Sequence, residues 1–199
     1  MNKKQFTFPF SLSYWRYSIS ELKDTKKLCL CALMMALQIL LSNPLFKIPL
    51  SENLSITFGY LAVALNSAIV GPVYSLIFGF VLDNISFMLF PSGVYFFGYT
   101  LSCMAGAFVY ALFLYRARIS LFRLFLAKLS VNVFVNVLLG SVWSAMLYSK
   151  GYLYYFSISA VKNLTLLPLE VFLLYLIFKA FMPFLYRKKW VVSNRISLF

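Results

Sequence analysis

Apolar residues run along this chain in long blocks, and each block ends at a turn signal or at a cluster of cations. The blocks cover residues 28–41, 57–70, 73–90, 94–115, 121–148 and 158–186. A membrane-crossing helix needs about 20 mostly apolar residues, so the pattern predicts six spans. The second block is short for a crossing, and Gly71-Pro72 turns the chain directly after it. Pro91-Ser92-Gly93 breaks the third block from the fourth, the basic stretch RARISLFR separates the fourth from the fifth, and the polar-aromatic stretch SKGYLYYFS separates the fifth from the sixth.

Ahead of the blocks, FTFPF and SYWRY are aromatic and basic, which suits an interfacial tail better than a folded unit. Ser18 with Glu21 three residues later fits a capping box, which starts the first helix near Ile19. No small-x-small cleavage site follows residues 28–41, so that block is expected to stay as span one. The domain reading is a tail over residues 1–19, a six-helix membrane domain over 20–186 and a basic tail over 187–199.

Composition agrees with the pattern and adds a limit. The 199 residues are 62% hydrophobic and 20% aromatic with only 12% charged, outside the range of a soluble domain. The fold class is therefore an all-α integral membrane protein of six transmembrane helices, with no room for a soluble domain beside them.

Charge sets the orientation. Eighteen Lys and Arg face five Asp and Glu, for a net charge of +13, which raises nucleic acid as a partner. Placement argues otherwise, because the cations flank the apolar blocks. If the N-terminus is cytoplasmic, Lys3 to Lys27, Arg116 to Arg123 and Arg187 to Arg195 all fall inside, and only Lys47 and Lys150 stay outside. By the positive-inside rule both termini are expected in the cytoplasm.

Few residues carry chemistry. Histidine is absent, and Cys29, Cys31 and Cys103 lie within apolar blocks without a metal or redox spacing. No Gly-x-Ser-x-Gly or Asp-rich metal motif supports a membrane enzyme, and no cofactor or metal is implied. What remains is a set of polar residues in hydrocarbon, where an ionisable group usually faces a bundle interior or a wet cavity. Asp83 and Asn84 sit in the third block, Asn66 in the second, and Lys162, Asn163 and Glu170 in the sixth. Asp83 and Lys162 are expected at similar depth. On the fifth block Lys128, Asn132, Asn136 and Trp143 follow at spacings of four, four and seven, which puts them on one α-helical face. The competing readings are that each Asn is interhelical glue and that Lys128 or Lys179 snorkels to the interface.

The segments ITFGYLAVALNSAIVGPVYSLIFGFVLD, LFPSGVYFFGYTLS and KNLTLLPLEV resemble the S components of energy-coupling-factor (ECF) vitamin transporters over about residues 20–186, the folate-specific S component most closely. The chain departs from that pattern at Ala62, Ser75, Ser86 and Ser159, where a proline, two glycines and an arginine commonly stand. The resemblance implies a subunit of a bacterial cell membrane that captures a vitamin from outside and docks on a transmembrane coupling subunit driven by two cytoplasmic ATPases. The absence of a Gly-x-x-x-x-Gly-Lys-Ser/Thr loop fits a chain that leaves ATP to partners. It also implies a coupling-subunit interface at the Ala-x-x-x-Ala pair, here Ala32 and Ala36, since small residues four apart let helices approach closely.

On a folate reading, Asp83 would accept the amino group and ring N–H of a pterin as two parallel bonds. Asn84 or Asn66 would complete that edge, Tyr95 or Trp143 would stack on the ring, and Lys162, beside Asn163, would offset either the ligand's glutamate charge or Asp83. The alternatives are an S component for riboflavin, thiamine, biotin, pantothenate or a queuosine precursor, and a non-catalytic membrane assembly protein.

Overall fold

The computed structural model describes residues 12–20, 24–43, 46, 48–51, 54–91, 93–148, 150–188, 190–191 and 196–197. Helix α1 (Leu12–Ser20) precedes α2 (Thr25–Ser42), a two-stranded antiparallel hairpin of β1 (Ile48–Ser51) and β2 (Leu54–Ile56), then α3 (Gly59–Val70), α4 (Pro72–Leu89) and α5 (Phe97–Leu114). The next span is continuous but changes pitch: α6 (Leu121–Ser130) passes into a π-helical segment (Val131–Leu139) and then α7 (Gly140–Leu147). Helix α8 (Tyr152–Arg187) completes the bundle.

Five of these helical stretches are long and apolar enough to cross a membrane. The sixth, α3, has only 12 residues, roughly 18 Å at the α-helical rise, against a hydrocarbon core of about 30 Å. Its neighbours enclose it, leaving Leu61 to Val70 buried except Val63. The hairpin supplies the rest of the connection from α2, and it has no counterpart in the sequence reading. Lipid-facing positions show the opposite of a soluble protein, with Leu33, Met88, Phe134, Leu153 and Phe172 all largely exposed.

The turn at Gly71 behaves as its sequence predicts. Gly71 has φ +84°, and a Cβ there would stand 2.9 Å from the Tyr115 ring and 3.0 Å from Ser18 Oγ, so only glycine fits. Pro72 then occupies the first turn of α4, where its missing N–H costs nothing. After Leu89, Gly93 at φ +76° breaks the helix, and α5 begins at Phe97 rather than at Val94.

Other expectations are corrected. The span-one helix starts at Thr25, where Asp24 caps it by accepting from the Lys26 backbone N–H at 3.0 Å. Ser18 belongs to the preceding helix α1 and accepts from the Val73 N–H at 3.4 Å; Glu21 lies outside the described residues. The described part of the N-terminal segment is a helix packed on the bundle. Tyr14 is buried edge-on to Tyr115 and Trp15 stacks on Phe108, because aromatics with polar tips can bury a ring against the bundle and still place the hydroxyl. The expected loop before span six is helical from Tyr152, and α8 reaches 36 residues, roughly 54 Å, well beyond the hydrocarbon.

The described parts of the basic segments meet at one end. Helix α1 packs by the Gly71 turn and Tyr115, and Ser197 near the C-terminus exchanges backbone hydrogen bonds with Ile119 and Leu121. The hairpin, the Gly93 turn and the start of α8 form the other end.

Candidate functional site

The polar residues of the third and fourth spans come together because α4 and α5 touch backbone to backbone. A Cβ on Gly79 would lie 2.7 Å from Met104 Cα and 2.8 Å from the Cys103 carbonyl oxygen, so glycine alone permits this spacing. One turn further on, Asp83 meets α5. Thr100 Oγ1 donates to Asp83 Oδ2 at 2.7 Å, and the Cys103 thiol to Oδ1 at 3.5 Å. Beside it, Tyr95 OH donates to Asn84 Oδ1 at 3.0 Å while Asn84 Nδ2 returns to the Phe80 carbonyl at 2.8 Å.

The fifth and sixth spans carry a longer chain of amides. Asn132 donates to Glu170 Oε2 at 2.9 Å and to the Asn163 carbonyl at 3.1 Å. Asn136 donates to Asn132 Oδ1 and to Asn163 Oδ1, each at 3.1 Å. Asn163 donates to the Ser159 carbonyl at 2.9 Å and Oγ at 3.2 Å, and Ser159 Oγ closes the loop on the Asn136 carbonyl at 3.1 Å. Lys128 does not snorkel. Its ammonium pairs with Glu170 Oε1 at 3.0 Å, 3.9 Å above the centre of the Tyr60 ring, since a nearby carboxylate and an aromatic face together replace the water it has lost.

Between these two groups lies a cavity of about 500 Å3, which reaches from Gln38, Ser42 and Thr57 toward the hairpin end down to Tyr110 and Lys128. Tyr60, Tyr110, Lys128 and Glu170 form its deep end. Tyr99, Ser102, Cys103 and Gly106 of α5 face Val131, Val135, Asn136 and Gly140 across it, and Ser159, Lys162, Asn163 and Leu166 of α8 close another side. Gly106 itself sits close to the π-helical segment, where a Cβ would make ordinary contact with Val131 Cγ1 at 3.9 Å and Val135 Cγ1 at 4.0 Å.

Of the residues singled out in the sequence, Lys162 and Asn163 line this cavity. Asp83 stands one layer behind it, beyond Cys103, and Asn84 and Tyr95 bond to each other beside Asp83 rather than along the cavity wall. Asn66 is wholly buried in α3, beside Cys31 of α2, and does not reach the cavity. Trp143 packs edge-on to Phe96 and donates to Ser102 Oγ at 3.0 Å, so it supports a lining residue instead of lining the space itself. It leaves the face of Asn132 and Asn136 because the wider π-helical turns between them rotate every later side chain out of α-helical register. Asp83 and Lys162 are not brought into an ion pair; their similar depth is not shared direction, and it is Lys128 that pairs with Glu170.

Gln38, Tyr60, Tyr99, Tyr110 and Ser159 also line the space. Apart from Ser159, marked as a departure from a family pattern, nothing in the sequence distinguishes them from packing residues. Among the described residues no three His, Cys, Asp or Glu side chains could hold a metal ion. The arrangement suits capture of a molecule with a flat aromatic part, a hydrogen-bonding edge and an anionic group.

Comparison with known proteins gives the same picture. A family model described as "ECF-type riboflavin transporter, S component" matches residues 23–187. The folate transporter FolT of Clostridium novyi (strain NT) is 33% identical over 120 residues, which are 60% of this chain and 70% of that protein. FolT of Leuconostoc mesenteroides subsp. mesenteroides is 28% identical over 155 residues, 74% of this chain and 82% of the relative. A solved structure of FolT bound with folic acid superposes with a TM-score of 0.67 at 26% identity, over 77% of this chain and 91% of that one.

Proposed function

The chain belongs to the S-component family of ECF-type transporters, membrane transport subunits rather than enzymes, and from that premise we propose that it captures folate. The observation that carries this reading is the cavity with Lys162 on its wall, taken with relatives named as folate transporters. Folate brings a flat bicycle, a benzoyl ring and carboxylates, and the cavity offers three tyrosines, an amide chain and a cation to meet them.

Riboflavin is the second reading, because the matching family model carries that vitamin's name. Riboflavin is uncharged and gives Lys162 nothing to pair with, and that favours the anionic vitamin.

The cation asymmetry supports a bacterial cell-membrane protein with both termini in the cytoplasm and the cavity reached from the outer side. Delivery would then require a transmembrane coupling subunit and two ATPases. Ala32 and Ala36 are both exposed on α2, the span with the smallest buried share of the five, and this supports a docking face there rather than a contact inside the bundle. Asp83, with Asn84 and Tyr95, would set the shape of the cavity wall through Thr100 and Cys103 instead of touching the ligand; Asn66 and Trp143 would brace the helices behind it.

The test is transport. Proteoliposomes holding this chain with a coupling subunit and both ATPases should accumulate radiolabelled folic acid when ATP is supplied, and vesicles without this chain should not. Uptake of riboflavin but not folic acid would reject the proposed vitamin.

A further inference from the structure

We infer that helix α1 and the last turns of α5 hold an anionic phospholipid of the leaflet at the basic end, with Trp15 and Ile19 against its acyl chains and Arg16 at its phosphate. The inference goes beyond the folate reading and does not depend on which vitamin the cavity takes.

Helix α1 lies ahead of residues 23–187, the part that the family model matches. Its nine residues, LSYWRYSIS, present three faces, each marked by a pair four positions apart. Tyr14 and Ser18 are buried and fix the helix to the bundle. The Tyr14 ring stands edge-on to Tyr115 at 5.5 Å and its hydroxyl donates to the Ala111 carbonyl at 3.5 Å. Ser18 Oγ accepts from the Val73 N–H at the start of α4. Trp15 and Ile19 make the second face. Trp15 is half-buried, stacked on Phe108 of α5 with ring centroids 6.0 Å apart, and Ile19 is 53% exposed. Arg16 and Ser20 make the third face, and both are exposed.

The depth of these faces suits a bilayer interface. Phe108 precedes the end of α5 at Leu114 by six residues, roughly 9 Å along the axis. A helix lying in an interface sinks its apolar face by about 5–10 Å. Trp15 and Ile19 therefore meet the boundary between headgroups and chains, where tryptophan is favoured. Arg16, on the next face round, is left at the level of the phosphates, whose oxygens a guanidinium can engage in pairs.

Charge selects the lipid. Lys26, Arg118, Arg123, Arg187 and Lys188 are exposed on segments that begin or finish at this same end. Among the described residues Asp24 is the carboxylate there, and it already caps α2. A rim of cations beside one carboxylate draws anionic headgroups, about fivefold per Lys or Arg near the surface. A zwitterionic headgroup brings its own ammonium and gains less.

The test places the purified full chain in phosphatidylcholine bilayers containing a minor share of phosphatidylglycerol, with brominated acyl chains on one lipid or the other at equal total bromine. Bromine quenches tryptophan on contact, and the share of Trp15 is the difference between each protein and the same protein carrying Trp15→Phe. Trp15 should be quenched more strongly when phosphatidylglycerol carries the bromine. Arg16→Gln should reduce that preference about fivefold, high salt should weaken it, and Arg16→Lys should retain it. Arg16 is exposed, so an unchanged melting transition in detergent should show that Arg16→Gln leaves the fold intact. Equal quenching by both lipids would mean ordinary lipid contact without headgroup selection and would overturn the inference. So would a preference for phosphatidylglycerol that Arg16→Gln leaves unchanged. Absence of Trp15 quenching by either lipid would place this face in water or against another protein, and would overturn it as well.

Discussion

Gly79→Ala adds one methyl group at the closest approach of α4 and α5, and the geometry sets its cost. The new Cβ would stand 2.7 to 2.8 Å from Met104 Cα, Met104 N and the Cys103 carbonyl oxygen, all backbone atoms that cannot rotate away. Ordinary contact would require the helices to part by about 0.7 Å or more, and overpacking of this kind costs about 1–3 kcal/mol. Alanine's better helix propensity returns less than about 1 kcal/mol, so the net effect remains destabilising. The strain falls on the Cys103 and Thr100 bonds to Asp83 and on the cavity wall that Cys103 forms. Gly106→Ala is the control, since its Cβ meets nothing closer than 3.9 Å and should leave stability equal or slightly higher. Thermal unfolding in detergent should show Gly79→Ala several degrees below wild type with weaker folic acid binding, and Gly106→Ala at or above it. Equal melting of Gly79→Ala and wild type would refute the backbone contact on which this side of the site depends.

Lys128→Met alone should lower stability by about 3–5 kcal/mol by leaving Glu170 charged and unpaired, and adding Glu170→Gln should recover most of it in the same melting assay. For orientation, a cysteine at Gly151 in a background lacking Cys29, Cys31 and Cys103 should react with an impermeant reagent outside intact cells, and one at exposed Arg118 should not; the reverse labelling inverts the topology. Ala32→Trp or Ala36→Trp should keep folic acid affinity in the isolated subunit but lose co-purification with a coupling subunit and ATPases, whereas loss of both would return these alanines to internal packing.

The spans were legible because the hydrocarbon demands long apolar blocks, and Gly71 and Gly93, both at positive φ, with Pro72 in the first turn of α4, punctuate them. The cavity was legible only in part. Depth along a helix follows from residue count, so Lys162 and Asp83 read as neighbours; direction depends on how the helices rotate, and Asp83 turns to Thr100 while Lys162 faces the cavity. The π-helical turns at Val131–Leu139 carry no sequence mark, so α-helical spacing misplaced Trp143 while still grouping Asn132 with Asn136. Glu170 and Lys128 stood out as ionisable groups in an apolar setting, yet their pairing joins residues 42 positions apart (170 − 128). Only packing of α6 against α8 decides that.

Equilibrium titration of the purified full chain with folic acid, repeated with riboflavin as competitor, tests the central claim most directly. The account predicts saturable one-to-one binding of folic acid that riboflavin does not displace and that Lys162→Gln weakens. Binding of riboflavin in place of folic acid, or folic acid binding indifferent to Lys162, would contradict it.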